Sequence, residues 1–212
     1  MPNINEIVVL AQSLEQPRIV KRISELSKLY NKVIVFGFNR NIHEVNNFSA
    51  LNNFSNVEIN IVGNLSNSQY SNRLKGYFSL VYTIYKNFGL KKKNIYVFGL
   101  DLRILTSVVV NKSITYEISD IVWLYSKGFK KVVLKNIDYL LSKLSNQVAF
   151  TSFGFYHKYY KPYINQNKVI IKENKFKSFG KVKAIQKIKL DKIRIAYIGA
   201  FRYSGIIKSL IN

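Results

Sequence analysis

Four short segments hold the residues best suited to chemistry. In ITYEISDIVW (114–123), Glu117 lies inside an apolar run and Asp120 just past its end. A carboxylate at the carboxyl end of a buried strand can accept hydrogen bonds from a sugar hydroxyl or act as a general base. The competing reading is structural: Asp120 caps the next segment and Glu117 pairs with a nearby lysine. In VFGLDLR (97–103), Gly99 would permit close backbone approach to a ligand, and Asp101 is either a ligand contact or an N-cap. In QPRIVKRI (16–23), Arg18 stands at a helix start, where a cation and free N–H groups can hold a phosphate. A solvated helix face is the alternative for Arg18, Lys21 and Arg22. In IGAFR (198–202), Gly199 and Arg202 occupy a turn of the kind that receives a diphosphate. His157, set among aromatics in FTSFGFYHKYYKPY, is a weaker candidate for ligand contact.

Other chemistries are excluded by what is missing. There is no cysteine and only two histidines, so thiol catalysis, disulfides, zinc–thiolate sites and a histidine-rich metal site drop out. No metal and no cofactor are expected. The segment after the first strand, AQSLEQPR, lacks the GxGxxG of dinucleotide-binding enzymes, and no GxxxxGK[ST], GxSxG or HExxH occurs.

These residues must be held by a framework, and the apolar patterning supplies one. Segments at 6–11, 33–38, 57–63, 94–99, 113–119, 147–152 and 168–174 read as strands, those at 6–11 and 33–38 as unbroken apolar runs. Helical spacing appears at 17–30, through Ile19, Ile23, Leu26 and Leu29. It appears again at 70–88, with Leu74, Tyr77, Phe78, Val81, Ile84, Tyr85 and Phe88 expected inward. A short helix is expected at 102–110. A longer one at 129–144 should turn Val132, Val133, Ile137, Leu140, Leu141 and Leu144 to the core. Strands alternating with helices imply an α/β fold, a doubly wound, mostly parallel Rossmann-like sheet over 1–171. A basic connector spans 172–192. Residues 193–212 read as the strand, turn and helix that open a second, incomplete domain. Ligands of such folds sit beyond the carboxyl ends of the strands, which directs attention to the loops at 11–18, 38–45, 99–103, 119–128, 152–158 and 199–204.

The 212 residues carry 33 Lys+Arg against 11 Asp+Glu, a formal net charge of +22. That field favours polyanions: anionic lipid surfaces, nucleic acids or phosphorylated substrates. The lysines are spread along the chain and no RNA-binding motif or clustered stacking platform is present, which disfavours nucleic acid. No apolar run approaches the roughly 20 residues that span a bilayer, and no secretory signal is visible. A cytoplasmic protein, peripheral on the inner face of the membrane, is expected. The basic helices at 70–93 and 129–144 should face the sheet with their apolar sides and solvent with their lysines.

As a series, QPRIVKRISEL, KVIVFGFNR, NIYVFGLDL, ITYEISD, VIIKEN and IRIAYIGAFR resemble the N-terminal half of GT-B-type glycosyltransferases of bacterial capsule, exopolysaccharide and O-antigen assembly. The resemblance covers nearly the whole chain. It implies an acceptor-binding Rossmann-like domain followed by the threshold of a donor domain that binds a nucleotide-diphosphate sugar. It implies an acceptor that is a saccharide or is linked to a polyprenyl lipid. By the same resemblance Glu117 and Asp120, with Gly99 and Asp101, line the acceptor side. Arg18 lies at the interdomain cleft, and Gly199 and Arg202 approach the donor diphosphate. Many relatives have a histidine where Phe98 and Gly99 stand here, and an Asn-Gly where Asn174 and Lys175 stand. The catalytic residues are not identified by the resemblance. A truncated transferase, weak or inactive as this chain alone, is the first reading. A split enzyme with the donor domain on a partner chain is the second, and a basic nucleic-acid-binding module the third.

Overall fold

The computed structural model describes residues 6–39, 51–64, 70–88, 94–109 and 113–173. Within them seven strands form one sheet: β1 (Glu6–Ala11), β2 (Lys32–Asn39), β3 (Val57–Asn64), β4 (Asn94–Phe98), β5 (Ile114–Ile118), β6 (Gln147–Phe150) and β7 (Val169–Ile171). Their order is β3-β2-β1-β4-β5-β6-β7, and every pairing is parallel. Parallel strands need crossovers that cover the sheet, so both faces of each central strand must be apolar. That requirement accounts for the unbroken runs IVVLA and VIVFGF. The chain works outward from β1 in one direction and from β4 in the other. This is a doubly wound, Rossmann-like α/β fold with its switch point between β1 and β4.

Alternation along the strands divides the core in two. On one face Ile7, Val9, Val33, Val35, Tyr96 and Phe98 pack against Ile19, Ile23 and Leu26 of α1 (Pro17–Ser27). On the other, Val8, Leu10, Phe36, Val97, Tyr116 and Phe150 pack against a helical layer. That layer comprises α2 (Tyr70–Phe88), α3 (Leu100–Val109) and α4 (Gly128–Leu144), with α3 touching both neighbours. Arg103 ties α3 to α4: its Nε donates to Ser145 Oγ at 3.0 Å and its Nη2 to the Leu141 carbonyl at 3.3 Å. Beyond β5 a short 3-10 turn (Val122–Tyr125) precedes α4. Beyond β6 an α-turn (Phe153–Phe155) runs into a π-helical turn (Tyr156–Tyr160).

The structure departs from the patterning in two ways. Helix α1 ends at Ser27, so Leu29, expected on its buried stripe, is 69% exposed. In α2 and α4 part of the expected inward stripe turns outward. Phe78 and Tyr85 face outward, as do Val132, Leu140 and Leu144. The expected Ile84 and Leu141 are buried and Tyr77 and Val81 pack against the core, joined by Leu80 in α2 and by Asp138 and Ser142 in α4. Apolar residues on both sides of these helices left the pattern without a clear polar face. Asp138 is buried because it has partners: Tyr116 Oη donates to its Oδ1 at 2.9 Å and Tyr160 Oη to its Oδ2 at 2.5 Å. Burial raises the Asp138 carboxyl above the usual aspartate range, and the two tyrosine hydrogen bonds oppose that rise. No helix among the described residues is long and apolar enough to cross a membrane. The connector from residue 174 onward and the segment 193–212, with Gly199 and Arg202, lie outside the described residues.

Candidate functional site

At the switch point the carboxyl ends of β1, β4 and β5 open into a cleft of about 130 Å3. A parallel sheet must part its crossovers there, because those on either side run to opposite faces. The loop after β1 contributes Gln12 and Gln16, and the start of α1 contributes Arg18 and Ile19. The β4–α3 junction contributes Phe98, Gly99, Leu100 and Asp101, and the end of β5 contributes Ser119 and Asp120. Val122 completes the rim.

Each polar group is set by local structure. Pro17 occupies the first turn of α1, where its missing N–H costs nothing and its fixed φ favours helix. Arg18 therefore leaves the helix at its opening. Its Nε donates to Gln16 Oε1 at 2.9 Å and its Nη1 to Asp120 Oδ2 at 3.4 Å. Gly99 adopts φ +80, a left-handed conformation that a side chain would strain, and this turns the chain sharply from β4 into α3. Asp101 then falls in the first turn of α3, where the helix dipole favours a negative charge. Gln12 Nε2 and Tyr77 Oη both donate to Asp101 Oδ2, at 3.1 and 3.2 Å. For both carboxylates, the second oxygen Oδ1 has no protein partner among the described residues. The cleft thus offers two carboxylate acceptors, donors from Arg18 and the two glutamines, and apolar surface from Ile19, Phe98 and Val122. Such a surface suits a polyhydroxylated ring, whose hydroxyls need acceptors and donors and whose C–H faces need apolar contact.

Arg18, Gly99, Asp101 and Asp120, expected from the sequence, thus stand together. Glu117 does not join them. It is 0% exposed on the α1 face of β5, where Arg22 Nε donates to its Oε2 at 2.9 Å and Tyr96 Oη to the same oxygen at 2.5 Å. The expected partner was a lysine, and the observed one is Arg22. Arg22 also reaches Glu25 and, at 3.4 Å, the Lys172 carbonyl. Burial alone would lower the Arg22 pKa, but Tyr96, Glu117 and Glu25 overcome it and hold the guanidinium charged. Burial and the Glu117 carboxylate push the Tyr96 phenol well above its ordinary value, so it remains a donor. Ser119 Oγ, 3.5 Å from Glu117 Oε1, lies between this buried network and the cleft. His157 sits apart, stacked on Phe153 with ring centroids 5.7 Å apart.

Sequence reasoning missed Gln12, Gln16 and Tyr77. Glutamines in a loop carry no pattern of their own. Tyr77 was assigned to the core by its spacing, and its hydroxyl reaches the rim through α2.

Fold and site together define a Rossmann-like α/β domain with a polar cleft at its topological switch point. No protein-family model matches the sequence, and no curated protein is significantly similar to it.

Proposed function

We propose that this chain is the acceptor-binding part of a glycosyltransferase that moves a sugar from a nucleotide-diphosphate donor to a saccharide or polyprenyl-linked acceptor during surface-polysaccharide assembly. The observation that carries the reading is the convergence of Asp101 and Asp120 with Arg18 and Gln12 on one cleft at the carboxyl edge. In this reading the Oδ1 atoms of Asp101 and Asp120 accept from acceptor hydroxyls and orient the nucleophilic one. A hydroxyl held in place loses little freedom at the moment of transfer, which is a large part of what a transferase must supply. Arg18 approaches the phosphate of a donor or of a lipid carrier, where charge develops as the sugar leaves. The donor-side role of Gly199 and Arg202 belongs to the same proposal.

The test is genetic. Deleting the gene for this chain in its host should remove or alter one surface polysaccharide. The wild-type gene should restore it, and Asp120→Asn or Asp101→Asn should not, despite equal protein levels. Unaltered surface polysaccharide in the deletion strain would contradict the proposal.

A further inference from the structure

The outer faces of α2 and α4 do not resemble an ordinary solvated surface. In α2, Phe78 is 72% exposed, with Tyr82 and Tyr85 following at helical spacing on the same side. In α4, Phe129 is 82% exposed and begins an outward stripe with Val132, Leu140 and Leu144. Both helices cover the same face of the sheet, with α3 between them, so both stripes look away from it. Tyr125, 70% exposed, extends the stripe of α4 toward the carboxyl edge.

The exposed charge on these helices away from the cleft has one sign. Lys75, Lys86 and Lys143 are exposed on the outer side of the same helices, and Lys130 and Lys131 are exposed at the start of α4. The only acidic residues in α2, α3, α4 and the turn before α4 are Asp101, held at the cleft, and Asp138, buried between two tyrosines. Exposed aromatics framed by lysines without opposing carboxylates match the interface of an anionic bilayer. There, rings settle at headgroup level and lysines meet lipid phosphates. A protein partner or a second copy of this chain would have to bring its own carboxylates to so uniform a face.

We propose that the outer face of α2–α3–α4 is the surface on which this protein docks to anionic membrane lipid. Helix α4 starts at the carboxyl edge, after the turn whose Val122 lines the cleft, and Tyr77 of α2 donates to Asp101. Docking this face therefore holds the cleft rim beside the lipid headgroups. That consequence rests on the reading of a lipid-linked acceptor, whereas the docking itself does not.

The test is co-sedimentation of the full chain with phosphatidylcholine vesicles, with and without phosphatidylglycerol. Binding should require phosphatidylglycerol and weaken with added salt. Phe78→Ser with Phe129→Ser should lower the partition by about tenfold, since two exposed rings lose apolar burial. Lys86→Gln with Lys143→Gln should lower it by about fivefold per lysine. All four positions are exposed, and unchanged thermal unfolding would show that the variants fold. Equal binding to neutral vesicles, or an unchanged partition for the phenylalanine pair, overturns the proposal. So does absence of vesicle binding combined with self-association that the phenylalanine pair abolishes, which would make the face a contact between copies. Vesicle binding alongside intact polysaccharide in an Asp120→Asn strain would remove the acceptor reading and leave the docking face standing.

Discussion

At the scale of single residues, the buried charges separate from the exposed ones. Arg22 and Glu117 form a desolvated pair completed by Tyr96, and removing one partner leaves the other charge stranded. Arg22→Met should cost about 3–5 kcal/mol in urea unfolding, and Arg22→Met with Glu117→Leu should recover much of it. Additive losses in the double variant would contradict this account. Arg18 and Asp120 form an exposed pair, worth at most about 1 kcal/mol, so Asp120→Asn should leave the thermal midpoint nearly unchanged. Asp138 gives a pH dependence. Its carboxyl is raised in the fold, first by burial, so the native state holds this proton to higher pH than the unfolded chain does. The stability this adds is fully present below the ordinary aspartate range, about pH 3.9, and is lost as pH rises through the raised value. The stability of wild type relative to Asp138→Asn should therefore fall between pH 4 and pH 7, and a rise would contradict it. The sequence alone did not reveal either acid's partners. Arg22 and Glu117 are 95 residues apart and Tyr116 and Asp138 are 22 apart, and no local pattern links them.

At the scale of elements, strand and helix positions were legible because parallel strands buried on both faces need unbroken apolar runs. The runs at 33–38 and 94–99 became β2 and β4 with ends shifted by about a residue. The facing of α2 and α4 was legible only in part: Ile84 and Leu141 are inward as expected, but Phe78, Tyr85, Leu140 and Leu144 compete with that stripe and only the sheet decides between them. The cleft loops depend on close backbone approaches. A Cβ added at Gly37 would lie 2.5 Å from Leu14 Cδ2 and 3.1 Å from the Ala11 carbonyl oxygen. Gly37→Ala should therefore destabilise the protein by about 1–3 kcal/mol and displace the loop that carries Gln12. An added Cβ at Gly99 would meet Gln12 only at 3.7 Å, so the cost there comes from its left-handed backbone, about 1–2 kcal/mol. A Gly37→Ala variant as stable as wild type by urea unfolding would show that the loop yields freely.

For the whole molecule, the order of strands places the cleft. Three of the loops marked by the sequence meet at the switch point because β1, β4 and β5 are adjacent there. The loop at 152–158 leaves β6, farther along the sheet, and does not line the cleft. The central claim is that this cleft holds a sugar acceptor. Saturation-transfer NMR of the full chain with a panel of mono- and oligosaccharides tests it most directly. At least one saccharide should take up saturation at its ring protons, and Asp101→Ala with Asp120→Ala should abolish that transfer while the fold persists. A panel in which no saccharide is saturated, or one whose saturation survives both substitutions, would contradict the account.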